Sequence, residues 1–205
     1  MNFIFFIILS AITLDFLIGS LSTILNIRYL QTDPPEELED VYDIEEYRTS
    51  QEYTRTQLRF GLFVSLCKIT FVLIFWFAGA FNYLDQIVRE LGFTDIWSGV
   101  AFIGALSIIS TLSSIPFDLY GTFVIEEKFG FNKTTYSIYI LDKIKAMLIS
   151  SVIGIPLLIG VLYFFENTGA FSWLYVWLFV IFVSFSIQII APVWIMPIFN
   201  KFTPL

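Results

Sequence analysis

Five runs of about twenty apolar residues divide this chain, and no other feature limits its fold as strongly. An α-helix rises about 1.5 Å per residue, so about 20 apolar residues cross the hydrocarbon core of a bilayer. The runs fall at roughly 2–27, 62–81, 97–115, 146–165 and 171–196. The expected fold is all-α and integral to a membrane, with five transmembrane helices. The first run reads as a retained span. It lacks a positively charged start and is longer than the short apolar core of a cleaved signal peptide.

Composition names the solvent. The chain has 57% hydrophobic and 19% aromatic residues, and 14% charged; a soluble domain carries about 25% charge. So few polar residues cannot screen this much apolar surface from water, so the lipid bilayer is the expected surrounding. A net charge of −7 argues against a nucleic-acid partner, which needs clustered Lys and Arg. The single cysteine, Cys67, allows no disulfide framework. The count of zero histidines removes His-x3-His zinc sites, Ser-His-Asp triads and Cys-His dyads. No catalytic residue and no metal ligand is expected within these residues.

Basic residues orient the spans, because cytoplasmic loops are enriched in Lys and Arg. Residues 28–61 hold Arg28, Arg48, Arg55 and Arg59. The loop after span three holds Lys128, Lys133, Lys143 and Lys145, and Lys201 lies in the tail. The opposite side has Arg89 alone. The N-terminus is therefore expected outside and the C-terminus in the cytosol. Trp97, Trp173 and Trp194 fall at span ends, where indoles prefer to sit.

The loops differ in character. Residues 28–61 are acidic and contain Asp33-Pro34-Pro35-Glu36, which reads as a cap, a proline at the first helical position and a capping-box glutamate. A cytosolic helix is expected after it, as a solvated acidic linker in preference to a binding surface. The loop after span two is short, and 166–169 is a turn. There is no internal repeat.

Two ionisable residues lie inside spans, where such groups are costly and face a bundle interior or a hydrated cavity. Asp15 sits near the middle of span one, about 16–18 Å from its inner end by helical rise, and Lys68 about 9 Å from its own. On one reading both line a hydrated cavity, as a pair. On the other, Lys68 snorkels to the cytosolic interface while Asp15 is neutral or bonded to a neighbouring helix. Snorkelling is favoured for Lys68; for Asp15 the readings balance. Gln188, with Ser184 and Ser186 nearby, adds to a polar inner face.

Residues 123–135, FVIEEKFGFNKTT, form the most unusual stretch. Pro116 is expected to end or kink the preceding span. Gly130 permits a turn with positive φ, and Asn132 favours the same kind of turn. Phe129 and Phe131 are unlikely to face water, so the loop is expected to pack on something. Asp142 and Lys145 form an i, i+3 pair at the start of the next helix. The Asn132-Lys133-Thr134 sequon is discounted, because the charge bias puts it in the cytosol.

The stretch TFVIEEKFGFNKTT followed by Asp142-x-x-Lys145 closely resembles the loop after the third membrane helix of the type I CAAX prenyl proteases, integral-membrane zinc metalloproteases of the gluzincin group. A second run, Pro197-Ile198-Phe199-Asn200-Lys201-Phe202-Thr203-Pro204-Leu205, resembles the segment linking that family's fifth membrane helix to its catalytic part. Motif order and the five preceding spans match as well, with residues 28–61 the weakest part. The resemblance implies helices around a water-filled chamber, with Asp15, Lys68 and Gln188 as chamber-lining candidates. It implies loop-bracing roles for Glu126, Gly130, Asn132, Lys133, Asp142, Lys145 and Asn200.

The departure is large. The family's HExxH helix, in which two histidines hold zinc and the glutamate activates water, is absent, as are its third ligand and two further spans. The chain is expected to be the N-terminal membrane part of a longer zinc endopeptidase, inactive alone. Its partners would be the bilayer, the C-terminal catalytic domain, and a prenylated C-terminus or membrane-protein segment as substrate. The membrane would be a bacterial inner membrane, or the endoplasmic reticulum or inner nuclear membrane. The alternatives are a transporter or channel, which would show inverted repeats and broken helices, and a structural module without catalysis. Rhomboid-like and glutamyl proteases need histidine as well.

Overall fold

The computed structural model describes residues 3–34 and 43–199. Every regular element among them is helical: α1 (Phe3–Tyr29), α2 (Ile44–Phe77), α3 (Ala80–Glu90), α4 (Asp95–Tyr120), α5 (Tyr136–Asn167), α6 (Ser172–Ile190) and α7 (Met196–Phe199). A π-helical turn, Gly121–Glu126, extends α4, and another, Ala191–Ile195, joins α6 to α7. Five helical stretches are long and apolar enough to cross a membrane: Phe3–Tyr29, Ile44–Phe77, Asp95–Glu126, Tyr136–Asn167 and Gly169–Ile198. Each contains one of the five runs found in the sequence, apart from a few end residues. Their side chains point outward. Phe182 is 71% exposed and Ile189 74%, which suits a lipid surrounding and would destabilise a protein in water.

Three boundaries differ from expectation. Helix α2 begins at Ile44, far ahead of Leu62. Asp43 caps it, its carboxylate accepting from the backbone N–H of Glu45 at 2.8 Å and of Glu46 at 3.0 Å. Part of the expected start at Asp33 lies outside the described residues, and the Asp33 carboxylate instead accepts from Arg48 Nε at 2.9 Å. At its other end α2 stops at Phe77, because Gly79 turns the chain with φ 74°. Phe81, assigned to span two from sequence, belongs to α3.

The short loop after span two is in fact largely helix α3. Its Asp85 and Arg89 pair at 2.7 Å, one turn apart. The hydrogen bond to Asp85, and then its charge, hold the Arg89 guanidinium above its ordinary pKa.

Pro116 neither ends nor breaks α4, which runs on to Tyr120. Membrane helices tolerate proline where hydroxyls and local adjustment re-satisfy the backbone. Nearby, Ser113 and Ser114 donate to the carbonyls of Ser110 and Thr111 at 2.8 and 2.9 Å, while the carbonyl that Pro116 leaves without its N–H partner is that of Leu112. Pro192 lies inside the second π-helical turn. It has no N–H for the regular i→i−4 bond, which lets the ladder slip to the wider repeat.

The chain divides into two compact units. The first comprises residues 1–83 and 110–133. In it α1 and α2 run antiparallel: the Phe5 ring lies 5.1 Å from Trp76, and at the other end Arg55 Nη2 donates to the Leu30 carbonyl at 3.4 Å. The end of α4 packs on α2 through Phe117 on Phe63 and Tyr120 on Phe60, with ring centroids 6.3 and 5.0 Å apart. The second unit comprises residues 84–109 and 134–205. Its α5 and α6 pack through Phe164, whose ring lies 5.6 Å from Phe179 and 6.0 Å from Tyr175.

Candidate functional site

The loop after span three is built from its backbone outward. The Phe131 N–H donates to the Glu126 carbonyl at 2.9 Å, and the Gly130 N–H to the Glu127 carbonyl at 3.1 Å. That crossed pair, with Gly130 at φ 74°, is a Schellman helix end. A Cβ added at Gly130 would meet no atom within 4 Å, so only the backbone conformation resists substitution. Gly130→Ala is expected to lower stability by about 1 kcal/mol. Thermal unfolding in detergent checks this; an unchanged midpoint would contradict it.

The Schellman turn aims two aromatic rings at one partner. Phe129 and Phe131 both pack on Tyr53 of α2, with centroids 5.3 and 4.8 Å away at near edge-to-face angles. Gln57 Nε2 donates to the Tyr53 hydroxyl at 2.9 Å. Lys128 pairs with Glu52 at 3.1 Å and lies over the Phe129 ring, 4.8 Å from its centroid. The loop thus clasps the polar half of α2. Tyr53 escaped the sequence reading. Its only sequence signal was an aromatic side chain in an otherwise polar helical stretch.

Other loop residues have separate places. Glu126 contributes its carbonyl, which also accepts from the Asn132 N–H at 3.3 Å. The Asn132 amide donates to the Glu127 carboxylate at 2.9 Å, and its backbone φ is not positive, so Gly130 alone makes the turn. Lys133 is exposed. In the second unit, Lys145 Nζ lies 3.3 Å from Asp142 and donates to the Ile198 carbonyl, also at 3.3 Å. That contact ties the start of α5 to the end of the fifth span. Asn200 lies outside the described residues, as does most of the 197–205 run.

Inside the spans, Asp15 and Lys68 line one open groove of about 460 Å³ between α1 and α2, with Gly19, Ser20 and Ser65 among its walls. The antiparallel register puts them level. Phe5 lies beside Trp76 and Leu30 beside Arg55, so residue 15 comes opposite residue 68. The different depths expected from sequence took Leu62 as a span boundary, and α2 has none there. The two side chains share the groove without forming an ion pair among the described residues. Gln188 is exposed on α6, in the other unit.

Zinc chemistry does not fit these residues. Among the described residues no three of His, Cys, Asp or Glu are grouped to hold a metal ion, and the sequence has no histidine. No catalytic step is assigned to this chain.

Residues 24–201 match the family model for the CAAX prenyl protease N-terminal domain with five membrane helices. CAAX prenyl protease 1 of Saccharomyces cerevisiae is 36% identical over 187 residues, 85% of this chain and 41% of the relative. The CAAX prenyl protease 1 homolog of Homo sapiens is 32% identical over 181 residues, 85% of this chain and 38% of the relative. The crystal structure of Ste24p from S. mikatae overlays with a TM-score of 0.87 at 34% identity, covering 97% of this chain and 48% of that one. The chain therefore spans about two fifths of the length of these curated relatives. With residues 24–201 matched, through the clasp loop and the last four spans, the chain belongs to the CAAX prenyl protease family of metalloproteases, as its N-terminal membrane domain.

Proposed function

We propose that this multi-pass domain forms the membrane wall of a zinc-dependent endopeptidase whose metal-binding motif lies outside residues 1–205. The reaction it serves is hydrolysis of a peptide bond in a prenylated C-terminus or a membrane-protein segment. The observation that carries this reading is the family match through residues 24–201. On this reading the clasp and the Asp142–Lys145–Ile198 contact brace the membrane helices beside the catalytic part, and Asp15, Lys68 and Gln188 line the intramembrane chamber. The distribution of Lys and Arg supports an external N-terminus, with the clasp in the cytosol.

A chimera tests the proposal. Residues 1–205 replace the corresponding membrane part of the Saccharomyces cerevisiae relative, and cleavage of a farnesylated peptide is measured in reconstituted vesicles. The expected result is cleavage that a zinc chelator abolishes and added zinc restores. A chimera that inserts and folds but cleaves nothing would overturn the proposal.

A further inference from the structure

We propose that the groove between α1 and α2 binds the main chain of an extended peptide segment within the membrane, through Asp15 as acceptor and Lys68 as donor. Both side chains are exposed, and neither makes a hydrogen bond or ion pair with another described residue. An ionised group at this depth is costly unless it is partnered or hydrated. These two are opposite in sign and level across antiparallel helices, and they form no ion pair with each other.

Such a pair recognises a ligand that carries a donor and an acceptor side by side. The carboxylate only accepts and the ammonium only donates. Every peptide unit presents one N–H and one C=O. An extended peptide leaves both without an internal partner, so it can engage the acceptor and the donor together. Three small residues leave room beside the charged pair, within walls that are otherwise mostly apolar, including Phe16 and Leu62. Gly19 has open space where a Cβ would stand, and Ser20 and Ser65 add no bulk. The groove volume of about 460 Å³ falls within the common range for ligand sites, about 300–1,000 Å³. Recognition of this kind reads backbone and not side chains, so it is tolerant of sequence. The choice of a peptide rests on the protease reading proposed above.

The probe is a dansylated six-residue Leu-Ala peptide amide, titrated by fluorescence anisotropy against the chain in lipid nanodiscs, with chain-free discs as reference. The expected result is binding above the reference, weakened at least tenfold by Asp15→Asn or by Lys68→Met. The same peptide with N-methylated backbone amides is expected to bind at least tenfold more weakly, because it cannot donate. The exchanged double variant, Asp15→Lys with Lys68→Asp, keeps one donor and one acceptor and is expected to bind within threefold of the parent. Binding no stronger than to chain-free discs would overturn the proposal, as would single variants and N-methylated peptide that bind like the originals. Should a single variant lose helicity, the methylated peptide decides on the unaltered chain. Hydrolysis is not read, so an inactive chimera with intact peptide binding would overturn the protease reading alone.

Discussion

Replacing Tyr53 by alanine is expected to release the loop after span three while leaving the five spans assembled. Tyr53 is the shared partner of Phe129 and Phe131. Edge-to-face aromatic pairs contribute about 0.5–1.5 kcal/mol each beyond the area they bury. Tyr53 is half-buried, so the combined loss is about 2 kcal/mol, or about thirtyfold in the population of the open loop. Limited trypsin cleavage at Lys128 and Lys133 reads that population directly. Tyr53→Phe, which loses only the hydroxyl contact to Gln57, should cleave within about fivefold of the parent. Glu52→Gln breaks the ion pair to Lys128, whose side chains are 61% and 64% exposed. Exposed pairs contribute little, so less than about threefold is expected there. Equal cleavage in Tyr53→Ala and the parent would show that the rings do not hold the loop.

Gly160→Val is expected to have the largest effect within the spans. A Cβ at Gly160 would stand 2.5 Å from Phe179 Cε1 and 2.6 Å from its Cζ. Small residues let membrane helices approach closely, and here glycine on α5 gives room to a ring on α6. That ring also packs on Phe164, so it cannot turn aside without disturbing a second contact. Overpacking of this kind costs about 1–3 kcal/mol, and valine, branched at the contact, belongs at the upper end. Unfolding by SDS in mixed micelles measures it. Gly154→Ala is the control on the same helix, because nothing lies within 4 Å of its added Cβ; no destabilisation is expected, and a gain of up to about 1 kcal/mol from helix propensity is. Equal midpoints for the two variants would contradict the packing described between α5 and α6.

What the sequence disclosed and what it hid follow from the range of each signal. Five spans were legible because hydropathy is a local property summed over twenty residues. Gly130 and the Asp142–Lys145 pair were legible because turn chemistry and i, i+3 spacing act within one turn. Phe129 and Phe131 announced that the loop packs, since two aromatic rings among charges need cover. They could not name Tyr53, which lies more than 70 positions away and meets them only through the packing of α4 on α2.

The errors had local causes. Asp43 with Glu46 three residues on has the form of a capping box, yet Asp33-Pro34 looked stronger because it carries proline. Helix α3 was visible as Phe81, Leu84 and Val88 on one face with Asp85 and Arg89 on another. It was lost by extending span two past Gly79. Pro116 was expected to end or kink span three; it does not end it, and α4 runs through it to Tyr120, as membrane helices allow. Asp15 and Lys68 could be singled out from sequence, but their level across the groove required the register fixed by Phe5 and Leu30.

These residues are proposed above to be the membrane part of a zinc protease whose catalytic motif is encoded beyond them. Sequencing the coding DNA on the 3′ side of the Leu205 codon tests it most directly. An open frame with an HExxH motif, a downstream glutamate and two further apolar spans is expected. A stop codon directly after Leu205 would contradict it and leave a five-helix membrane protein without metal chemistry of its own.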